Sequence, residues 1–239
     1  EKAWYDRPHD VRPMQLSTGR GRITAEELAE HLAHKPYARL VAVRAGQGAV
    51  ELISRKGKAL VRATSMPSTT QPDSDATGPE DAFYDYCVLQ GHDPLGLGLM
   101  SPAAQGASAG LTMPARQWMR RTIDSPNPGV VSQLVTYFQS TRTGDIVVFA
   151  EPGYGFGPDR SGHGSTTPAE MRIPLVFAGP GVVPGATDEV VRLNSVMPTI
   201  ITALGFADRL APAGTVDAPV LRLQPQDAAE SKILLRSTR

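Results

Sequence analysis

The chain has 239 residues, room for one large domain or two small ones at ~100 to 200 residues per domain. Lys and Arg number 24 and so do Asp and Glu, and this zero balance removes the general attraction that drives binding to nucleic acid or an anionic membrane. One cysteine, Cys87, excludes an intrachain disulfide and a multi-cysteine metal cluster, and no run approaches the ~20 apolar residues of a transmembrane helix. Gly and Pro (23 and 21 residues) together exceed the ~12% of ordinary globular usage, which marks a loop-rich chain. The first residue is Glu, with neither a starting Met nor a basic-then-apolar leader, so the chain is expected to belong to a longer product.

Thr24-Ala25-Glu26-Glu27 is a capping box: the Thr24 hydroxyl can accept from the Glu27 amide while the Glu27 carboxylate reaches back. A helix is predicted from there, with Leu28, His31 and Leu32 on one face and Pro36 ending it. Three β-rich runs follow, Arg39 to Arg44, Ala49 to Ser54 and Ala59 to Thr64, separated by Gly-containing turns, and they predict an antiparallel meander. Residues 65 to 81, rich in Ser, Thr, Pro and Asp, read as an exposed loop, and Phe83 to Leu89 as a returning strand. Beyond Pro114 two helices are predicted, Pro114 to Ile123 and Val130 to Ser140, the second carrying Val131, Leu134, Val135 and Phe138 on one face. Ile146 to Ala150 and Ile173 to Ala178 are continuous apolar runs of the kind that form strands buried on both faces. Asn194 or Ser195 can cap a last helix carrying Val196, Ile200, Ile201 and Leu204, which stops at Gly205.

Chemistry-bearing residues are dense in one stretch, Glu151 to Gly157 followed by Arg160-Ser161-Gly162-His163-Gly164-Ser165. It leaves the carboxyl end of a predicted buried strand, where open α/β sheets bind ligands, and glycines on either side of His163 leave its imidazole uncrowded. Local spacing alone favours a Gly-rich surface turn with an exposed histidine, because one imidazole is not a metal site. His9 and His92 read as loop residues and His31 and His34 as helix-face residues. Ser17, Thr18 and Ser165 have nucleophile chemistry but no preceding apolar strand and Asp. Trp118, Met119, Leu134 and Phe138 read as core, and Glu170 with Arg172 as a surface ion pair of little energetic weight.

The larger pattern, His163-Gly164-Ser165, then Arg172-Ile173-Pro174-Leu175 running to Gly179-Pro180-Gly181, then Met197-Pro198-Thr199-Ile200, resembles the C-terminal part of alkaline phosphatase superfamily hydrolases. The nearest branch is that of the nucleotide pyrophosphatases and type I phosphodiesterases, and the match runs from about Gly144 to Phe206. The resemblance implies that His163 is the last ligand of a two-metal site, usually zinc. The remaining ligands and a Thr or Ser nucleophile would lie upstream, so no catalytic nucleophile is assigned within this chain. It implies an α/β fold with a mixed, mostly parallel sheet flanked by helices that includes Ile146 to Ala150 and Ile173 to Ala178, while periodicity predicts a small antiparallel accessory lobe from about Arg39 to Leu89. The expected division is residues 1–113 as the accessory segment and 114–239 as an incomplete α/β domain. Its open sheet edge would be covered by the N-terminal half of the same protein or by a partner chain. Two functions stay open: part of a metal-dependent phosphoester or sulfate ester hydrolase acting on a small substrate, or a non-catalytic structural or interaction subunit of a larger assembly. Relatives of this kind are often exported, which favours a periplasmic or extracellular location.

Overall fold

A computed structural model describes residues 16–18, 21–64, 82–100, 110–140, 142–156, 163–180, 182–186, 190–206, 221 and 223. The predicted loop over 65–81, His9, and the stretch 157–162 of the glycine-rich segment lie outside the described residues. The chain divides into two compact units, Glu1–Met66 with Ala82–Arg172, and Pro67–Asp81 with Ile173–Arg239.

In the first unit, strands β1 (Leu16–Thr18) and β2 (Gly21–Ile23) form an antiparallel hairpin. Helix α1 (Ala25–Ala33) then begins where the capping box places it. Glu27 donates its amide to Thr24 Oγ1 at 3.1 Å, and the Thr24 amide donates to Glu27 Oε2 at 2.7 Å. The buried face of α1 runs through Ala25, Ala29 and Ala33, with Leu32 half-buried, so it is rotated from the one predicted on Leu28 and His31. Three alanines let the helix lie close on the sheet.

Strands β3 (Ala38–Gly46), β4 (Ala49–Ser54), β5 (Gly57–Ala63) and β6 (Phe83–Gly91) form the predicted meander. With β7 (Gly110–Pro114) and β8 (Ile146–Ala150) they make one six-stranded sheet in the order β7-β6-β5-β4-β3-β8. Every neighbouring pair is antiparallel.

Two expectations are corrected here. The sheet is antiparallel rather than mostly parallel, and Ile173 to Ala178 forms no strand. The apolar run of β8 predicts burial on both faces, yet all five of its residues are half-buried, because it is an edge strand of an antiparallel sheet whose two faces are covered by helices. Val147 and Phe149 pack into the cluster under helices α2 (Ala115–Thr122) and α3 (Val130–Gln139), while Ile146 and Val148 pack into the cluster under α1. For Ile173 to Ala178, strand propensity has no ladder to join among the described residues, and Pro174 lacks a donor. Ile173 and Val176 are 58% and 82% exposed.

The main core sits between the sheet and the α2–α3 pair. Trp118 is fully buried, donates its indole N–H to the Tyr84 carbonyl at 2.8 Å and meets the Tyr86 ring edge-on at 6.1 Å. At the β5–β6 corner a Cβ on Gly57 would meet the His92 carbonyl oxygen at 2.0 Å, so only glycine lets the two chains pass.

The second unit contains a 3-10 turn (Leu193–Ser195) leading into helix α5 (Val196–Ala203). Ser195 stands at its N-cap position with helical φ and makes no side-chain cap bond, contrary to its predicted capping role. The hydroxyl that organises this end is that of Thr199, which donates to the Ser195 carbonyl at 2.6 Å and accepts from the Leu221 amide at 2.9 Å. Among the described residues no helix is long and apolar enough to cross a membrane.

Candidate metal-ligating loop

The loop carrying His163 begins where β8 ends. Antiparallel pairing extends one step past the strand, with the Glu151 amide donating to the Tyr37 carbonyl at 2.9 Å. A turn follows, closed by the Tyr154 amide on the Glu151 carbonyl at 3.0 Å and made possible by Gly153 at φ +92°. The exposed Phe156 ring packs edge-on against Tyr37 at 5.7 Å.

The His163 imidazole is exposed. The residues after it are held from three directions. Gly164 and Ser165 both donate their amides to Glu170 Oε2, each at 2.7 Å. Glu170 lies on the short helix α4 (Pro168–Met171), so its carboxylate folds back over the turn that precedes it. Thr166 is buried, 4% exposed; its hydroxyl donates to Asn127 Oδ1 at 2.7 Å and accepts from Arg39 Nη1 at 2.9 Å. The other guanidinium nitrogen, Nη2, donates to Asn127 Oδ1 at 2.9 Å and to the Pro126 carbonyl at 2.7 Å. Arg172 closes the segment by donating to Asp124 Oδ1 at 2.9 Å and to the Ile123 carbonyl. Glu170 and Arg172 therefore serve separate anchors and are not the surface ion pair the sequence suggested.

Burial pushes the Arg39 guanidinium below the usual arginine value, and the Glu151 carboxylate opposes that shift. Arg39 and Glu151 follow paired residues, Ala38 and Ala150, at the β3–β8 register. The arginine that locks Thr166 is thus seated at the same sheet end from which the loop departs.

Asn127 is also tied outward, donating Nδ2 to the Leu95 carbonyl at 3.0 Å. Leu95 belongs to a turn built around Asp93, whose place after His92 reverses the Asp-His order of a metal-ligand pair and whose role here is structural. Asp93 Oδ1 accepts from the Leu95 and Gly96 amides at 2.9 and 3.2 Å, Oδ2 accepts from Leu97 and Leu99 at 2.7 and 3.2 Å, and Tyr86 donates its hydroxyl to Oδ1. Burial first, and the Asp93 carboxylate second, push the Tyr86 phenol far above its ordinary value, so it stays a donor. The signal was present in Asp93-Pro94-Leu95-Gly96: an Asp before Pro and Gly accepts from amides a few residues on.

The other sequence candidates do not join His163. His92 is exposed on the turn after β6, bridged to Met100, beside an open depression of about 590 Å³. His31 is exposed on α1 and His34 is its C-cap residue. Ser17 and Thr18 lie in β1. Ser165 Oγ is buried with no hydrogen-bond partner among the described residues. Among those residues no group of three His, Cys, Asp or Glu side chains could hold a metal ion. A catalytic zinc takes about three protein ligands. The exposed imidazole of His163 fits one such position, and the described residues do not complete the set.

Alkaline phosphatase PhoV of Synechococcus elongatus is 25% identical to this chain over 108 residues. The likeness is to an alkaline phosphatase. It covers 42% of this chain and 20% of PhoV, so the chain spans about a fifth of that relative's length. That likeness does not single out the nucleotide pyrophosphatase branch. No protein-family profile and no solved structure matches the chain.

Proposed function

We propose that this chain contributes His163 to the two-metal centre of a phosphoester hydrolase whose other ligands and nucleophile lie outside the described residues. The observation that carries the reading is the exposed imidazole of His163 directly before a segment, Gly164 to Arg172, that is tied down by Glu170, Thr166 and Arg172 rather than left free. The alkaline phosphatase likeness supplies the reaction class. When bound, two divalent ions, zinc in this reading, polarise the phosphoryl group and stabilise attacking and leaving oxygens. This chain's own part is to present one ring nitrogen in a fixed place. Glu170 holds the Gly164 and Ser165 amides, Thr166 anchors the loop to the sheet, and the glycine backbone leaves the approach to His163 open. The substrate is a small phosphoester, with a sulfate ester as the neighbouring chemistry. Within this reading β8, an edge strand whose apolar side chains are half-buried on both faces, is covered by a strand of the polypeptide that completes the centre.

A second reading is favoured by one feature of the second unit: Leu193, Met197, Ile200 and Leu204 recur at helical spacing and are all exposed. An apolar stripe of that kind suits a non-catalytic subunit that works by association.

The coding sequence preceding Glu1 separates the two. An Asp, a strand ending in Thr or Ser, and a later Asp-His pair favour the enzyme, and a start codon immediately upstream favours the subunit. The isolated 239-residue chain, supplied with zinc, is expected to hydrolyse p-nitrophenyl phosphate and bis(p-nitrophenyl) phosphate no faster than buffer. Zinc-dependent turnover by this chain that His163→Ala abolishes would instead place a complete site within these residues.

A further inference from the structure

We infer that Arg39, Asn127 and Thr166 are positioning residues that fix the backbone of the loop from which His163 is presented. The inference rests on the reading of His163 as a ligand only for what is being positioned; the network itself stands on geometry.

Three side chains from separated parts of the chain meet at one buried point. Thr166 is 4% and Asn127 3% exposed. Four hydrogen bonds between 2.7 and 2.9 Å join them to Arg39 and to the Pro126 carbonyl. Asn127 Oδ1 receives both the Thr166 hydroxyl and the Arg39 guanidinium, one N–H of its amide goes to the Leu95 carbonyl, and the Thr166 oxygen receives the second guanidinium nitrogen. The Thr166 hydroxyl is thereby held on both its donor and its acceptor side, and with it the backbone three residues after His163. A half-buried guanidinium is costly to keep, and here it faces neutral acceptors, with Glu151 as the carboxylate acting on it. Packing alone would be served by an apolar side chain. What a planar guanidinium adds is a fork reaching a side-chain hydroxyl, a side-chain amide oxygen and a backbone carbonyl at once, which registers the loop to the β3–β8 end of the sheet. Groups that hydrogen-bond a metal ligand tune metal affinity 10- to 100-fold, and this network acts on His163 through the backbone of Gly164 to Thr166.

The test uses Thr166→Val, which keeps the shape and removes the hydroxyl, Thr166→Ser, which restores it, and Arg39→Met. In the 239-residue chain, amide hydrogen exchange is followed at Gly164 and Ser165, with Leu52 and Val61 in the sheet as references. Thr166→Val and Arg39→Met should speed exchange at Gly164 and Ser165 about tenfold or more and leave the references within about twofold, and Thr166→Ser should stay close to the parent. Unchanged exchange at Gly164 and Ser165, or equal acceleration at the references, overturns the inference. The second readout is zinc affinity of the full-length coding product, expected to fall 10- to 100-fold in Thr166→Val and to recover in Thr166→Ser. His163→Ala separates the two failures. If that variant leaves zinc affinity intact while Thr166→Val still loosens the loop, the ligand reading fails and the positioning network stands. If His163→Ala removes zinc binding while Thr166→Val leaves the loop and the affinity unchanged, the network is refuted and the ligand reading survives.

Discussion

The two units treat the same kind of residue in opposite ways. In the first, Trp118, Tyr86, Leu40, Leu52 and Val131 are fully buried between a six-stranded sheet and two helices. In the second, Ile173, Val176, Leu193, Met197, Ile200 and Leu204 are exposed, and the buried positions of α5 are Pro198 and Thr199. Apolar residues at helical spacing need an opposing surface before they become a core. The first unit supplies that surface from its own sheet, and the described part of the second organises itself around a hydroxyl. The contrast suits the proposal that further polypeptide completes this chain.

Truncation should separate the units most sharply. Trp118→Ala removes the largest fully buried side chain and its indole bond, and should cost about 3–5 kcal/mol in denaturant unfolding followed at the first unit. Leu204→Ala, at 62% exposure, should stay within about 0.5 kcal/mol. Comparable losses at the two positions would break the comparison. The polar anchors sharpen it. Asp93→Ala strands the Tyr86 hydroxyl and several amides together and should cost about 2–3 kcal/mol, with faster exchange at Leu95 and Leu97. Thr199→Val, which removes two bonds, should cost about 1 kcal/mol and act locally on the Leu221 amide. The smallest effect on stability is expected from converting Met197 and Leu204 to Ser, under about 0.5 kcal/mol. The same pair of changes should lower binding of an apolar dye and any self-association seen in sedimentation. A large stability loss there would mean that the stripe is already packed.

What was legible in the sequence was local. The Thr24–Glu27 box, the meander, the helices around Trp118 and Phe138 and the existence of β8 all follow from caps, turns and periodicity within a dozen residues. What a strand pairs with is not local. The run Ile146 to Ala150 could not say whether its neighbour was a parallel strand or the meander's own β3, and Ile173 to Ala178 could not say whether any ladder awaited it. The anchoring of the candidate site was hidden for the same reason. Arg39 reaches Asn127 and Thr166 across 88 and 127 positions of sequence, and none of the three stands in a motif. Position 163 is conspicuous because glycines flank it, whereas the full structural role of Asp93 does not show in the sequence, because four of its partners are backbone amides and the fifth, the Tyr86 hydroxyl, comes from strand β6.

The most direct measurement is the zinc content of the full-length coding product and of its His163→Ala variant after dialysis against metal-free buffer, taken together with turnover of p-nitrophenyl phosphate. The account predicts bound zinc and hydrolysis in the parent, with most of both lost in the variant while the Trp118 environment, read by fluorescence, is unchanged. Equal zinc and equal turnover in the two proteins would contradict it.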